Sequence, residues 1–390
     1  MKICDLTQFY SPVSGGVRRY ISQKSEYIRR HRPDCSHIII IPGEKTGFSG
    51  DDKVRTYTIA SPLLAKTSRY RALTKLHLVE EVLEKERPDI IESGDPYQVA
   101  WKAIASGRGL DIPVVGFYHS HFSEAYIRTI TKYFGPLAVT IADEICRKYV
   151  VTLYNHFECT FVPSPVLSKL LNDWGVERTH SVDLGVDSHI FRPDVNDRDT
   201  TRIRLGIPQD ARLLLYVGRL GPEKNVRTLF EAFRLLNNRS PSKYHLLCVG
   251  DGTQRSSLAD LQRENDGVHW TQFCDNPTDL ASIYRAADLF VHPGIQETFG
   301  LVTLESQACG TPVVGIKGSY MDRIIFTGQT QWATKNTPTA LAEAIDRKFS
   351  IDLRSVGQIA STEARQRYSW DNVFERLIRI QSQVVQNFIP

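Results

Sequence analysis

Two carboxylates, Glu297 and Glu305, frame the segment Glu297-Thr298-Phe299-Gly300-Leu301-Val302-Thr303-Leu304-Glu305, and two cations, Arg219 and Lys224, lie in Gly218-Arg219-Leu220-Gly221-Pro222-Glu223-Lys224-Asn225. A forked guanidinium and a compact ammonium together grip phosphate oxygens, and they can stabilise negative charge developing on a departing diphosphate without a metal. The segment around Glu297 reads as a strand, a Pro293-Gly294 turn and a helix opening at Phe299, Gly300 and Leu301. The first amides of such a helix have no intrahelical partner and suit an anion, and Gly300 would let that anion approach the backbone. Glu305 lies about one and a half turns further in, so it meets the same ligand only if the ligand extends beyond its phosphates. The residues alone leave a second reading open, in which the carboxylates are a cap and a surface group and the cations sit on a solvated loop. Lys224 is followed by Asn225 and preceded by no glycine, so the loop is not a Walker motif.

These groups need elements to hold them. Short apolar, β-branched runs at 3–6, 37–41, 89–92, 113–118 and 160–163 predict strands, and a second series at 213–217, 245–249, 268–273, 289–292 and 312–316 repeats the pattern. Helical spacing fills 73–87, 278–287 and 370–386, and a helix opens at Gly16 and ends near Arg32. Strand and helix alternate, which implies an α/β class with parallel sheets and crossover helices. The polar, turn-rich stretch 183–201 separates the two series. The chain is therefore read as an acceptor domain over 1–188, a donor domain over 189–368 and a C-terminal helix, 369–390, crossing back to the first domain. Ligands of such doubly wound sheets sit at the carboxyl ends of the strands.

Bulk properties narrow the function classes. With 390 residues, 41% apolar and 24% charged, the chain can bury two cores. No run approaches the roughly 18 apolar residues of a spanning helix, and the start lacks a signal-peptide plan, so a soluble cytoplasmic protein is expected. Seven cysteines without a C-x-x-C pair predict reduced thiols and no metal site. A net charge of +4 gives no case for nucleic acid. Residues 1–75 nevertheless carry 14 Lys and Arg against 6 Asp and Glu, including Arg18, Arg19, Arg29, Arg30, Lys66 and Arg69. Such a surplus suits a phosphorylated acceptor or peripheral contact with the inner face of a membrane, or is a solvated helix face.

The order G-R-x3-E-K-N at Gly218, V-G-D-G at Val249, A-A-D-L-F-V-x-P at Ala286, and E-T-F-G-L-x3-E-x3-C-G-T-P-V-V at Glu297 resembles family 4 of the glycosyltransferases, as do Gly15-Gly16 and the Gly185-Val186-Asp187 linker. The resemblance runs almost end to end. It implies a GT-B fold, two Rossmann-like domains facing across a cleft, and a retaining enzyme. That enzyme would move a hexose, mannose or glucose, from a nucleoside diphosphate sugar such as GDP-mannose or UDP-glucose. The acceptor would be a hydroxyl of a glycolipid, a polyprenyl-linked saccharide or a free saccharide. No cofactor is implied beyond the donor. By the same resemblance Arg219 and Lys224 hold the diphosphate, Glu305 the ribose and Glu297 the sugar hydroxyls. The backbone at Phe299, Gly300 and Leu301 would complete these contacts, Gly250 lies nearby, and Gly16 approaches the diphosphate from the first domain. Phe273 and Cys274 border the base. His119 matches a histidine beside the anomeric carbon; His121, standing where several relatives carry Asp, joins Arg18 and Tyr118 on the acceptor side. No carboxylate pair suited to double displacement is legible, which favours a front-face reaction. A non-catalytic nucleotide-sugar binder, or an epimerase or phosphorylase of the same fold, is the competing expectation.

Overall fold

The computed structural model describes residues 1–8, 10, 16–64, 70–119, 136–194, 196–274, 276–295, 299–319, 321 and 324–389, with 136–138 by backbone alone. The chain divides into two compact units, Met1–Leu184 with Trp370–Pro390, and Gly185–Ser369.

Unit 1 holds an eight-stranded sheet ordered β3-β4-β2-β1-β5-β6-β7-β8. Its strands are β1 (Lys2–Leu6), β2 (Ser36–Gly43), β3 (Gly47–Gly50), β4 (Val54–Ala60), β5 (Ile90–Ser93), β6 (Val114–Phe117), β7 (Thr160–Val162) and β8 (Thr179–Ser181). All pairings are parallel except that of β3 with β4, an antiparallel edge hairpin. The helices are α1 (Gly16–His31), α2 (Leu76–Glu86), α3 (Gln98–Leu110), α4 (Pro136–Tyr154) and α5 (Pro165–Trp174). From β1 the order runs one way through β2 and the other way through β5, so the switch point lies between the ends of β1 and β5.

Unit 2 holds a parallel five-stranded sheet, β11-β10-β9-β12-β13. Its strands are β9 (Arg212–Val217), β10 (Tyr244–Val249), β11 (Val268–Thr271), β12 (Leu289–Val291) and β13 (Val313–Val314). Around them lie α6 (Asp197–Leu205), α7 (Val226–Arg239), α8 (Arg255–Glu264), α9 (Pro277–Ala286), α10 (Leu301–Ala308), α11 (Pro338–Lys348) and α12 (Leu353–Arg367). Here the switch point falls between β9 and β12. Leu213, Leu214 and Leu215 of β9 are fully buried, as a strand covered on both faces requires.

The last helix, α13 (Trp370–Asn387), packs in unit 1. It buries Trp370, Val373, Phe374, Leu377, Ile378 and Gln381, one stripe at helical spacing. Trp370 stacks on Phe374, and Phe374 meets Tyr20 of α1 with ring centroids 5.5 Å apart. Each fully buried aromatic of this kind contributes about 2–3 kcal/mol through area removed from water.

α1 buries Tyr20, Ile21, Lys24, Tyr27 and Ile28, so a lysine occupies a core position of an otherwise apolar stripe. Its ammonium lies 2.6 Å from Asp5 Oδ1 and 2.9 Å from Glu92 Oε2, linking α1 to β1 and β5. The Tyr20 hydroxyl donates to Glu92 Oε1 at 2.9 Å and the Gln381 amide to Oε2 at 2.7 Å, while His37 Nε2 lies 3.1 Å from Asp5. Burial opposes the charge on Asp5, but Lys24 and His37 outweigh it and hold the carboxyl at about 2. Burial pushes Glu92 the other way, up to about 7, against the pull of Lys24.

Candidate functional site

In unit 2 the ends of β9, β10 and β12 supply the candidate residues. After β9 the chain makes Gly218-Arg219-Leu220-Gly221 and a 3-10 turn, Pro222–Lys224. The Gly218 amide donates to the Val249 carbonyl at 2.9 Å and the Leu220 amide to the Asp251 carbonyl at 2.9 Å, so the Gly-Arg loop and the Val-Gly-Asp-Gly loop are laced together. Gly250 has φ 141°, and a Cβ there would collide with the Gly218 carbonyl, so close loop contact and backbone conformation both require glycine. The Trp270 indole closes the bottom by donating to the Gly250 carbonyl at 2.8 Å. The Tyr216 hydroxyl donates to the Arg219 carbonyl at 2.9 Å, fixing the backbone from which Arg219 projects.

Arg219 is exposed, 69% for its side chain, and its Nε lies 3.1 Å from Glu223. Lys224 is half-buried at the end of the 3-10 turn. Asn225 follows with φ 57°. Its Nδ2 donates to the Pro293 carbonyl at 2.8 Å and to Asn336 at 2.7 Å, tying the loop after β9 to the turn after β12 across the switch point.

α10 begins at Leu301 on an N-cap Gly300 with φ 84° and no side-chain cap. The space beside Gly300 is taken by Met321, with which a Cβ would collide. Protein packing and a left-handed backbone therefore fix this glycine, whatever binds in front of it. Phe299 is buried, its ring 6.1 Å from Tyr368. Glu305 is 2% exposed and accepts from the Tyr284 hydroxyl of α9 at 3.1 Å. A buried carboxylate so held is positioned rather than free to swing. Phe273 is exposed after β11, and Cys274 is half-buried with its Sγ 3.5 Å from the Asn276 carbonyl. Glu297 lies outside the described residues.

In unit 1, Gly16 opens α1 and is exposed, as is Arg18. Tyr118 is buried in the core, edge-on to Tyr154 at 5.4 Å. His119 follows β6, its ring stacked on Phe117 at 4.0 Å and edge-on to Tyr20 at 5.1 Å. That burial pushes the imidazole down to about 3, only partly offset by Asp5, so the ring is neutral at physiological pH and can donate one hydrogen bond. His121 lies outside the described residues. Among the described residues no three His, Cys, Asp or Glu side chains converge as a metal site. All seven cysteines are free thiols.

Lys24 and Tyr284 belong to no motif, and Asn225 stands out in the sequence only as the residue after Lys224. Only Lys24 left a signal, a cation inside an apolar stripe. Several arginines of the first 75 residues are paired within unit 1, Arg29 with Asp51, Arg30 with Glu26, Arg32 with Asp34, Arg55 with Glu86 and Arg71 with Glu44, mostly with acids already set against them in the sequence count.

Comparison with known proteins bears on this arrangement. The model described as Glycosyltransferase Family 4 matches residues 14–239, and that of glycosyl transferases group 1 matches residues 197–361. The chain is 28% identical over 325 residues to a GDP-mannose-dependent alpha-mannosyltransferase of Corynebacterium glutamicum, spanning 81% of this chain and 72% of that one. It is 29% identical over 354 residues to a GDP-mannose-dependent alpha-(1-6)-phosphatidylinositol dimannoside mannosyltransferase of Mycobacterium tuberculosis, covering 88% and 87% of the two chains. Among solved structures, sucrose-phosphate synthase from Thermosynechococcus elongatus superposes with a TM-score of 0.76 over 99% of both chains at 21% identity, a likeness of fold, which is GT-B.

Proposed function

Since the chain belongs to glycosyltransferase family 4, we propose that it transfers mannose from GDP-mannose to a hydroxyl of a lipid or saccharide acceptor, with the donor held in unit 2 and the acceptor met by unit 1. The observation that carries the donor half is the laced pair of loops after β9 and β10, which presents Arg219 and Lys224 at the switch point of the sheet. Two cations there can take up the charge that grows on the diphosphate as the bond from its oxygen to the anomeric carbon breaks. In this reading Glu305, held by Tyr284, accepts from ribose hydroxyls, and the amides that open α10 meet the phosphates.

In this reading the acceptor oxygen forms the new bond on the face the diphosphate leaves. Its proton passes to the departing phosphate oxygen, the products are a glycoside and a nucleoside diphosphate, and the anomeric configuration is retained. His119, neutral, donates to a hydroxyl of the transferred sugar and does not act as a cationic acid. Glu297 and His121 complete the proposed donor and acceptor contacts, and no metal takes part in a step. The names of the two mannosyltransferases support mannose and GDP. A lipid acceptor would bring the chain peripherally to a membrane; no helix among the described residues is long and apolar enough to cross one.

A thermal-shift panel of GDP, UDP, ADP and their sugar derivatives tests the donor site. GDP and GDP-mannose are expected to raise the melting temperature most, and Glu305→Ala to remove most of that rise, because ribose contact is lost while the phosphate loops remain. Equal shifts in wild type and Glu305→Ala would defeat the ribose assignment, and a larger shift with UDP-glucose would replace mannose by glucose.

A further inference from the structure

At the switch point of unit 1 the loops leaving β1 and β5 meet. The backbone amide of Gln8 donates to Asp95 Oδ2 at 2.6 Å and the Thr7 hydroxyl to the same oxygen at 3.3 Å. Asp95 is 2% exposed and Gln8 is 6% exposed. One oxygen of each side chain, Asp95 Oδ1 and Gln8 Oε1, is buried and has no hydrogen-bond partner among the described residues. Leaving an acceptor unmet in a buried place is unfavourable, and a carboxylate oxygen more so than an amide oxygen. Two such oxygens on adjoining loops can each accept a hydrogen bond from a ligand. His119 lies close to the residue before Asp95: a Cβ on Gly94 would lie 3.6 Å from His119 Cδ2 and 3.3 Å from Thr7 Cβ.

We propose that Asp95 and Gln8 form the acceptor-recognition pair of unit 1, taking two hydroxyl donors from a polyhydroxy ring, a sugar or a cyclitol. Both groups are acceptors only at these atoms, so the ligand must be a donor at two positions, which a ring polyol is and a monohydroxy alcohol is not. The ring is received at the carboxyl ends of β1 and β5, where open α/β sheets bind their ligands, and beside the histidine that the transfer reaction places next to the moving sugar. Burial holds the Asp95 carboxyl up at about 6 against the amides of Gln8 and Tyr97, and a further hydroxyl donor would relieve that penalty. The pair binds acceptor and takes no proton from it. The inference rests on the transfer reaction for its role, though not for its geometry.

Calorimetric titration of methyl α-D-mannopyranoside and myo-inositol into the full chain, with and without GDP, tests the pair. At least one of the two ring polyols is expected to bind wild type, and Asp95→Asn and Gln8→Leu each to weaken that binding about 10-fold or more while leaving GDP affinity within about twofold. Gln8→Leu retains the backbone amide that holds Asp95, so it decides the matter if Asp95→Asn does not fold. Three results would overturn the pair: neither polyol binding wild type, equal binding by wild type and Gln8→Leu, as expected if the oxygens hold only a buried water, or GDP weakened as much as the polyol. Polyol binding without any GDP binding would refute the donor reading and leave the pair standing.

Discussion

Replacing Lys224 by alanine is expected to lower the rate of sugar transfer about 10²–10³-fold, with Arg219→Ala close behind and the pair of changes less than additive. Removing one preorganised stabiliser of developing charge costs this much in other enzymes, and the loss falls on the rate because the charge exists fully only as the bond breaks. Geometry separates the two residues. Lys224 is half-buried and its turn is tied across the switch point through Asn225, whereas Arg219 is exposed and rests on Glu223. If both act on the diphosphate as proposed, Lys224 would do so from a tied turn and Arg219 from an exposed side chain that first has to leave Glu223. Glu223→Gln should accordingly leave transfer intact or raise it slightly. Steady-state rates with GDP-mannose and the acceptor would check this, and a Lys224→Ala variant retaining more than about a third of wild-type turnover would remove the lysine from the charge-stabilising role.

The largest effect on stability is expected at Lys24. Lys24→Met fits the apolar stripe of α1 but leaves Asp5 and Glu92 buried without their cation, a loss of the kind that costs about 3–5 kcal/mol. Against a total of about 5–15 kcal/mol for a domain, this should bring unit 1 close to unfolding while unit 2, which shares no part of the network, keeps its own transition. The cost should shrink as pH falls, since burial already raises Glu92 to about 7 and its protonated form needs no cation. The triple change Asp5→Asn, Lys24→Met, Glu92→Gln should recover much of the loss, because a buried ion cluster is replaceable by neutral groups where a broken one is not. Denaturant titration at pH 5 and pH 7.5 measures both. A Lys24→Met cost below about 1 kcal/mol at pH 7.5 would mean that the network does not hold α1 to the sheet.

Much of the framework was legible because buried parallel strands write themselves as short apolar runs. The run 213–217 became β9 within one residue, and 370–386 became α13 almost end for end. The strands missed had weaker signatures. Gly47–Gly50 is glycine-flanked and exposed throughout, and Val54–Ala60 alternates in burial only from Tyr57 onward, after an arginine and a threonine that are both half-buried. Thr179–Ser181 is three residues long and polar, a strand made by its neighbour β7 rather than by its own composition.

At the site, what the sequence displays is residue type; what it hides is the partner. Arg219 and Lys224 could be named from their loop, but nothing local says that Asn225 reaches Pro293, 68 residues away, or that Tyr284 holds Glu305. Gly300 was read as room for a ligand, and the structure adds that Met321 already fills the space where a side chain would go. Asp95 is the sharpest case. In sequence it is one carboxylate after a glycine; only the meeting of two strand ends shows that it is buried, clamped on one oxygen and without a partner on the other among the described residues.

Sugar transfer from a nucleotide to a hydroxyl differs from mere nucleotide binding in the products it leaves. Incubating it with GDP-mannose labelled in the sugar, together with a mixture of glycolipid and saccharide acceptors, and following GDP release and labelled product in one reaction tests this most directly. Equal amounts of GDP and labelled glycoside are expected, both reduced to a few per cent or less in Lys224→Ala. Tight binding of GDP-mannose with neither GDP nor glycoside formed would contradict it and leave a nucleotide-sugar-binding protein in its place.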